Sequence, residues 1–232
     1  MQTYNKADPE SVQKMFGQVA SSYDKTNLFL SMGLCQLWNR KLANSVGDKK
    51  MLLDLCAGTG AIAFQYLKTH PRADALLIDF CDEMLEISKE RGKAYQGRFT
   101  TQQADVHKLD LEDGEIEAAT MAYGIRNLKD PQKAIHEVYR VLKAGATFSI
   151  LELTRPNLSI LRMGHKVYLK TVVPMLGNLL AKDKQAYRYL ARTIESFLAP
   201  EVLVNMVEQA GFSQIKQIPL SGGIATLLVA KK

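Results

Sequence analysis

The segment from Leu52 to Gly60 constrains the fold more than any other part of the chain. It consists of an apolar run, Leu-Leu-Asp-Leu-Cys-Ala, followed by Gly-Thr-Gly, and a helix-compatible stretch comes after it. An apolar run of this kind is typical of a strand that is buried on both faces of a parallel sheet. The glycines lack a Cβ, so the chain can turn sharply and a ligand can approach the backbone N–H groups. The pattern therefore predicts a strand, a ligand-binding turn and a helix.

A second apolar run ends in an acid, Asp79. In a parallel sheet, an acid at the end of the neighbouring strand lies beside the glycine turn, where its carboxylate can accept both hydroxyls of a ribose. The dinucleotide-binding pattern requires a third glycine at position 63, where Ala63 stands. The turn instead has the pattern D-x-C-x-G-x-G from Asp54, so the dinucleotide-binding pattern is incomplete.

Strand and helix patterns alternate from residue 51 onward, which predicts an α/β fold with a doubly wound sheet. Strands are predicted near 51–56, 75–79, 98–103, 116–122 and 147–152, and helices near 60–69, 82–93 and 131–143. A helix at 200–210 is followed by strands at 214–220 and 223–230. The last two strands are joined by a hairpin, so we expect a Rossmann-like sheet that is mostly parallel with an antiparallel last strand.

A chain of 232 residues with 47% hydrophobic content can form a single domain around one core. Its expected parts are an N-terminal helical cover at 9–46, a cofactor-binding core at 51–153, a helical insertion or lid at 155–197, and a final helix and hairpin at 200–232. No run approaches 18 apolar residues and no signal-peptide core is visible, which predicts a cytoplasmic location. The three cysteines lack metal-ligand spacing, so no metal site is predicted.

The net charge of +6 is unevenly distributed. Residues 1–153 contain 19 Lys and Arg against 20 Asp and Glu, whereas residues 154–232 contain 11 against 4. In the insertion, Arg162, Lys166 and Lys170 recur at a spacing of four, and an apolar set lies on another face: Ile160, Leu161, Val167, Tyr168 and Val172. Residues 172–177, which include a proline, are expected to break this helix. The insertion is either a packed helix with a solvated basic face, or a lid that covers an apolar substrate and contacts an anionic membrane surface.

The fourth predicted strand ends at Arg126 and Asn127, where a doubly wound fold places its substrate. The Asn/Asp-Pro-Pro-aromatic turn common in amino-methyltransferases of nucleic acids is absent here, so no nucleic-acid partner is predicted. Tyr139 and Lys143 have the spacing of a short-chain dehydrogenase pair. They precede the fifth strand and lack an accompanying serine, so we interpret them as helix surface.

The glycine turn resembles the first motif of class I S-adenosylmethionine-dependent methyltransferases. The sequence AYGIRN at 122–127 is similar to the signature of the ubiquinone/menaquinone-biosynthesis C-methyltransferase family. Further matches to this family lie at 16–27, 31–38, 53–60, 140–145, 151–152, 186–190 and 210–212. The resemblance thus includes the cover, the core and the insertion. It implies transfer of a methyl group from S-adenosylmethionine to a ring carbon of a polyprenylated quinol.

The resemblance also implies functional residues. Arg126 would stabilise the quinolate, Asn127 would orient a ring oxygen or a water, Tyr23 would close the site, and Asp24 would fix nearby backbone or Arg126. The implied cofactor-binding residues are Asp54, Ala57, Gly58, Thr59, Gly60, Asp79, Asp105, Val106 and Ala122. None of the four histidines is assigned a role. Peripheral membrane association, and a homodimer or a quinone-biosynthesis assembly, are the expected partnerships.

Two other readings stay open from the sequence. One is a methyltransferase of the same fold that acts on another small molecule, on RNA or on protein, and the other is a non-catalytic cofactor-binding subunit. The chain also departs from the usual family pattern at Ala57, Ala61 and Cys35-Gln36, and at Arg192 and Glu195, whose charges are exchanged. An exchanged pair on one helix face can keep its contact. The substitution at positions 35 and 36 bears on the substrate contacts.

Overall fold

A computed structural model describes residues 5, 7–156, 158–181 and 184–232, and it describes residues 177–181 and 184 by their backbone alone. The helices are α1 Pro9–Val19, α2 Tyr23–Leu30, α3 Leu34–Ser45, α4 Ala61–Thr69, α5 Asp82–Arg91, α6 Pro131–Val141, α7 Ser159–Ala181, α8 Lys184–Ser196 and α9 Pro200–Gln209. The strands are β1 Met51–Leu55, β2 Asp74–Asp79, β3 Phe99–Gln103, β4 Ile116–Ala122, β5 Leu142–Leu153, β6 Ser213–Leu220 and β7 Ala225–Lys231.

The strands form one seven-stranded sheet in the order β3-β2-β1-β4-β5-β7-β6. The first five strands pair in parallel, and β7 pairs antiparallel with both β5 and β6. This confirms the predicted sheet with its antiparallel last strand. The sheet order reverses between β1 and β4, which is where open α/β sheets bind their ligands at the carboxyl ends of the strands.

Successive side chains of β1 point to opposite faces of the sheet, because a strand has a period of two. Leu53 and Leu55 belong to a buried cluster with α6 and α9, while Leu52 belongs to a cluster with α3 and α4. Helices therefore cover both faces of the sheet. The side chain of Asp54 lies on the same face as that of Leu52, beneath α4.

The strand β5 is longer than predicted. It begins at Leu142 instead of near residue 147, and α6 ends at Val141 instead of near residue 143. Residues 143–145 are exposed, and the β4–β5 register is irregular between Ile116 and Ala118. The apolar pattern is interrupted there, so the start of the strand was not visible in the sequence.

The predicted helix break at 172–177 is wrong, because α7 continues through Pro174. An internal proline costs about 3 kcal/mol, since it removes one helical hydrogen bond and clashes with the preceding turn. Leu169 and Val173 on the same helix are buried. Burying two such side chains stabilises by about 1.5–3 kcal/mol each, which is enough to offset the proline.

The N-terminal helices and the insertion pack against each other over one end of the sheet. Val12, Met15 and Val19 of α1 share a buried cluster with Leu169 and Val173 of α7 and with side chains of α8. A hydrogen bond of 2.6 Å from the Tyr168 hydroxyl to the backbone oxygen of Leu30 joins α7 to α2. These helices form a roof above the carboxyl ends of β1 and β4.

Candidate functional site

The turn after β1 has an unusual backbone conformation. Cys56 and Gly58 have φ angles of 53° and 54°, in the left-handed region that favours glycine. A Cβ built on Gly58 would meet no atom within 4 Å, so this residue faces open space. Gly60 is the N-cap residue that precedes α4, and a Cβ at that position would lie 2.4 Å from the Phe64 ring. The two glycines therefore have different roles, one bordering a cavity and the other allowing close packing.

Asp79 ends β2 beside this turn. Its two carboxylate oxygens accept hydrogen bonds from the backbone N–H of Gly58 at 2.8 Å and of Cys81 at 2.9 Å. Burial raises the pKa of Asp79 to about 6, although these hydrogen bonds oppose the rise. The backbone N–H of Phe80 also lowers this pKa. An ionised carboxylate has about four acceptor sites, so Asp79 is positioned by the backbone and can still accept from a ligand.

The neighbouring acid, Asp54, is also buried, but its contacts are within the core. It accepts hydrogen bonds from the backbone N–H of Ala63 at 3.1 Å and from the hydroxyl of Thr120 at 2.8 Å. Burial raises its pKa to about 7. Asp54 therefore ties β1 to α4 and β4, and its contacts explain why an acid stands in an otherwise apolar strand.

A cavity of about 470 Å³, here called the strand-edge cavity, follows the carboxyl ends of the central strands. Its lining includes several of the residues predicted to bind the cofactor, namely Gly58, Asp79, Asp105, Val106 and Ala122. Asp105 is exposed, and its carboxylate accepts from the backbone N–H and the ring of His107. Partial burial raises the pKa of Asp105, but these hydrogen bonds outweigh that effect and lower the pKa overall.

A side cavity of about 260 Å³ lies on the other side of the glycine turn. Ala57 and Thr59 line it together with Tyr23 and Asp24 of α2. Gly58 lines both the side cavity and the strand-edge cavity. The turn therefore lies between two adjoining cavities.

The third cavity, here called the apolar cavity, has a volume of about 380 Å³ and lies under the helical roof. Its walls come from α1 to α3, α7 and α8, and most of the lining side chains are aliphatic or aromatic. Four residues line both the apolar cavity and the strand-edge cavity, namely Phe16, Tyr23, Tyr123 and Asn127. These four side chains therefore mark the junction of the two.

Arg126 lines the apolar cavity next to this junction, in the short 3₁₀ turn Ile125–Asn127 after β4. Its Nη1 donates to Glu152 at 2.5 Å and to the backbone oxygen of Tyr123 at 2.7 Å. Burial alone would lower the pKa of Arg126, but the Glu152 carboxylate outweighs it and the pKa is raised. Burial raises the pKa of Glu152, and Arg126 opposes that rise. The cation expected from the sequence is therefore compensated by a buried carboxylate.

Two polar atoms at or next to the junction have no partner among the described residues. They are the Nε of Arg126 and the Oδ1 of Asn127, and both are buried. The amide nitrogen of Asn127 donates to the backbone oxygen of Tyr123 at 3.1 Å. Buried polar atoms without a partner are rare in folded proteins, and a ligand is one explanation for them.

Tyr23 and Asp24 begin α2, but they face different groups. Tyr23 lines all three cavities, and burial raises its pKa to about 12. Asp24 accepts hydrogen bonds from the Thr59 hydroxyl at 2.8 Å and from Arg91, with which it forms an ion pair. The expectation that Asp24 fixes Arg126 is wrong, since the partner of Arg126 is Glu152 and that of Asp24 is Arg91.

Three residues of the site were missed as functional candidates. Glu152 lies within a match to the family pattern at 151–152. Its position near the end of β5 was the only feature of the sequence that could have indicated contact with Arg126. Arg91 ends α5, and nothing in its local sequence indicates contact with the glycine turn. Tyr123 has a φ of 56° and donates from its hydroxyl to Asn39 at 2.8 Å. Such backbone strain is visible only in three dimensions.

Related sequences match nearly the full length of this chain. A family model described as the ubiE/COQ5 methyltransferase family matches residues 3–232. The demethylmenaquinone methyltransferase of Protochlamydia amoebophila is 43% identical, over 100% of this chain and 99% of its own. That of Chlamydia pneumoniae is 40% identical, over 98% and 97% of the two chains.

Solved structures share the fold at low sequence identity. A methyltransferase from Thermotoga maritima, described as a possible histamine N-methyltransferase, has a TM-score of 0.69 and 18% identity, over 94% of this chain and 99% of its own. Phosphoethanolamine N-methyltransferase 2 of Haemonchus contortus, solved with S-adenosyl-L-methionine, has a TM-score of 0.61 and 15% identity, over 84% and 52% of the two chains. On the full-length family match and these relatives, the chain belongs to the ubiE/COQ5 methyltransferase family and is a methyltransferase.

Proposed function

We propose that this protein transfers the methyl group of S-adenosylmethionine to a ring carbon of demethylmenaquinol, forming menaquinol in respiratory quinone biosynthesis. The names of relatives that match over the full length support this acceptor. The methoxy-benzoquinol precursor of ubiquinone is a second candidate acceptor. Both molecules combine a quinol ring with a polyprenyl chain, so the site must accept a polar head and an apolar tail.

The observation that carries the proposal is a pair of unpartnered polar atoms, one on Arg126 in the wall of the apolar cavity and one on Asn127 at its junction with the strand-edge cavity. The Nε of Arg126 can donate and the Oδ1 of Asn127 can accept, and both are buried. A quinol ring at the junction presents hydroxyl oxygens that satisfy both groups, while the prenyl chain extends into the apolar cavity. An RNA or a protein side chain offers no comparable match to a cavity lined mainly by aliphatic and aromatic residues.

The strand-edge cavity has the donors and acceptors that S-adenosylmethionine requires. Asp79 is held by two backbone N–H groups with lone pairs left for the ribose hydroxyls. Val106 supplies an apolar wall for the adenine, and the open face of Gly58 leaves room for the chain that carries the sulfur. When bound, the cofactor supplies an electrophilic methyl group on a sulfonium.

The residues around the ring favour its ionised form. A phenol titrates near pH 10, so the site must stabilise the anion that makes the ring carbon nucleophilic. Arg126 acts as a fixed N–H donor, and because Glu152 compensates its charge, its effect depends on direct hydrogen bonding to the ring oxygen. Tyr23 retains its proton at neutral pH, since its pKa is about 12. It therefore serves as a hydrogen-bond donor and not as a base.

We further propose that the mouth of the apolar cavity contacts the membrane that holds the substrate. Met32 and Ile160 line this cavity and are 80% and 83% exposed. Phe29 and Met163, close to them in sequence, are also exposed, and we call these four residues the apolar rim. None of the described helices is long and apolar enough to cross a bilayer.

Three basic residues lie on the same helix as Ile160 and Met163 of this rim. Arg162 and Lys166 are exposed on α7, and Lys170 lies 3.8 Å from Glu195. Apolar side chains beside exposed cations suit the surface of an anionic leaflet. We propose a cytoplasmic protein that binds this surface peripherally, with self-association or a quinone-biosynthesis assembly as further predictions.

A methyl-transfer assay tests the proposed acceptor. The protein and radiolabelled S-adenosylmethionine are incubated separately with demethylmenaquinol, with the benzoquinol precursor and with total RNA, and the label in lipid and aqueous phases is counted. We expect label in the quinol fraction. Label in RNA alone would replace the proposal with RNA methylation, and cofactor binding without transfer to any acceptor would favour the non-catalytic subunit.

A further inference from the structure

A cluster of three polar side chains closes the side cavity. Thr59 donates from its hydroxyl to Asp24 at 2.8 Å and accepts from the Nη1 of Arg91 at 2.7 Å. The same Nη1 contacts Asp24 in an ion pair. The cluster therefore joins the glycine turn, the start of α2 and the end of α5.

This cluster retains unused hydrogen-bonding capacity. Among the described residues, the hydrogen bonds of Arg91 use Nη1 only, so Nη2 and Nε are free to donate. Each oxygen of Asp24 accepts one hydrogen bond and has a second lone pair. The two side chains are 38% and 42% exposed. Ion pairs at this exposure contribute little to stability, so the fold alone does not account for the arrangement.

The side cavity adjoins the expected cofactor site. Gly58, Cys56 and Ala122 line both the side cavity and the strand-edge cavity. Gly58 donates to Asp79 and borders the cavity that Arg91 lines, so a ligand held by Asp79 would lie beside that cavity. The chemistry at that end of the cavity is one cation next to one anion.

We infer that Arg91 and Asp24 bind the α-amino-acid end of S-adenosylmethionine, with Arg91 donating to the α-carboxylate and Asp24 accepting from the α-ammonium group. A guanidinium matches a carboxylate because its parallel N–H groups can form two hydrogen bonds. Thr59 holds the two side chains at a fixed separation. Asp24 is then a cofactor-binding residue and not a catalytic one. The inference rests on the proposed use of S-adenosylmethionine and is independent of the acceptor.

Calorimetric titration with two ligands tests it. S-adenosylhomocysteine carries the amino-acid end, and 5′-methylthioadenosine lacks it. Arg91→Met should raise the Kd for S-adenosylhomocysteine about tenfold or more, the scale of lost hydrogen bonds to a charged group, and leave the Kd for 5′-methylthioadenosine within about twofold. Asp24→Asn should show the same selectivity. The matched control is Lys89→Met, since Lys89 lies on α5 and pairs with Glu86.

The inference would be overturned if both variants bound S-adenosylhomocysteine with unchanged affinity. An equal loss for both ligands would also overturn it, because it would mean that the cluster merely supports the glycine turn. No quinol is present in these titrations, so an error in the proposed acceptor leaves their outcome unaffected. Failure of the wild-type protein to bind either ligand would instead refute the proposed cofactor.

Discussion

Asp79 and Glu152 are both buried near the carboxyl ends of strands in one sheet, but they have different partners. Asp79 is held by backbone N–H groups, and among the described residues it has no ion-pair partner. Glu152 is paired with the Arg126 guanidinium at 2.5 Å. The side of the site that binds the cofactor, at Asp79, therefore holds a carboxylate that can titrate near neutral pH. The side that binds the methyl acceptor, at Arg126, holds a fixed charge pair.

The difference follows from what each side has to bind. The hydroxyls of a ribose are neutral donors, and a single well-placed acceptor is sufficient for them. A developing quinolate is an anion, and it needs a donor that remains protonated in a buried site. A guanidinium meets that need, but burying it requires a compensating charge. We expect the two sides to respond differently when the carboxylates or their partners are changed.

The largest effect is expected from Arg126→Met. This substitution leaves the Glu152 carboxylate buried without its partner, which costs about 3–5 kcal/mol of stability. It also removes a preorganised donor from the ring oxygen, so turnover per folded molecule should fall about 10²-fold or more. Urea unfolding and methyl transfer on the same preparation measure the two effects.

A double variant, Arg126→Met with Glu152→Gln, separates these effects. The amide oxygen introduced at position 152 can still accept from the backbone N–H of Leu153, which donates at 2.7 Å in the native protein. We expect most of the stability to return while turnover stays low. If this variant recovered wild-type turnover together with its stability, Arg126 would have only a structural role.

The next effect concerns Asp54, whose pKa is raised from 3.8 to about 7 by burial. The folded state binds this proton more tightly than the unfolded state, so the unfolding free energy should decrease as pH rises from about 4 to about 7. The expected decrease in unfolding free energy is about 4 kcal/mol, since each pKa unit corresponds to 1.36 kcal/mol. The variant Asp54→Asn should not show this decrease, and unfolding of both proteins at pH 4, 6 and 8 measures the difference.

Asp105→Asn is the control for that experiment. Contacts with His107 lower the pKa of Asp105 in the folded protein. The ionised Asp105 therefore stabilises the folded state above its unfolded pKa, and this stabilisation is lost as pH falls, which is the opposite of the behaviour expected for Asp54. A stability difference between wild type and Asp54→Asn that did not change with pH would show that Asp54 keeps one protonation state throughout.

A smaller effect is expected from Asp79→Ala on cofactor binding. Losing hydrogen bonds to a charged acceptor costs about 1.5–3 kcal/mol, so the Kd for S-adenosylmethionine should rise about tenfold or more. Because burial raises the pKa of Asp79 to about 6, affinity of the wild-type protein should also weaken as pH falls below 6. Calorimetric titration between pH 5 and 8 measures both.

The variant Asp79→Asn tests the source of this pH dependence. It keeps one acceptor oxygen but cannot ionise, so its affinity should be lower at pH 8 and nearly constant with pH. The assignment of Asp79 to the ribose would be refuted by unchanged affinity in Asp79→Ala.

The smallest effect is expected at the lid. Each basic residue near an anionic membrane surface contributes about 1 kcal/mol, so Lys166→Gln should weaken binding to anionic vesicles about fivefold, and added salt should weaken binding of the wild-type protein. Lys68→Gln is the control, since this exposed residue lies near the end of α4, at the opposite edge of the sheet. Equal flotation with neutral and anionic vesicles would leave the apolar rim as the only contact.

The sequence by itself determined those features that depend only on residues adjacent in the chain. The strand and glycine turn at 51–60, the acid that ends β2 and the alternation of strands and helices follow from periodicity and from backbone freedom, which are local properties. The family motif at 122–127 likewise placed Arg126 and Asn127 at the carboxyl edge of β4. Strand ends in a parallel sheet meet at one edge, so these side chains were expected to be close together.

Only the tertiary structure decided which charged groups pair. Arg126 meets Glu152 and Asp24 meets Arg91 because strand order and helix packing bring together residues far apart in the chain. The continuation of α7 through Pro174 has the same origin, since burial on the roof outweighs a local propensity to break. Long-range packing sets which side chains share a buried space, and no local pattern encodes that. The compensated charge of Arg126 and the cluster at Arg91 were therefore visible only in the folded protein.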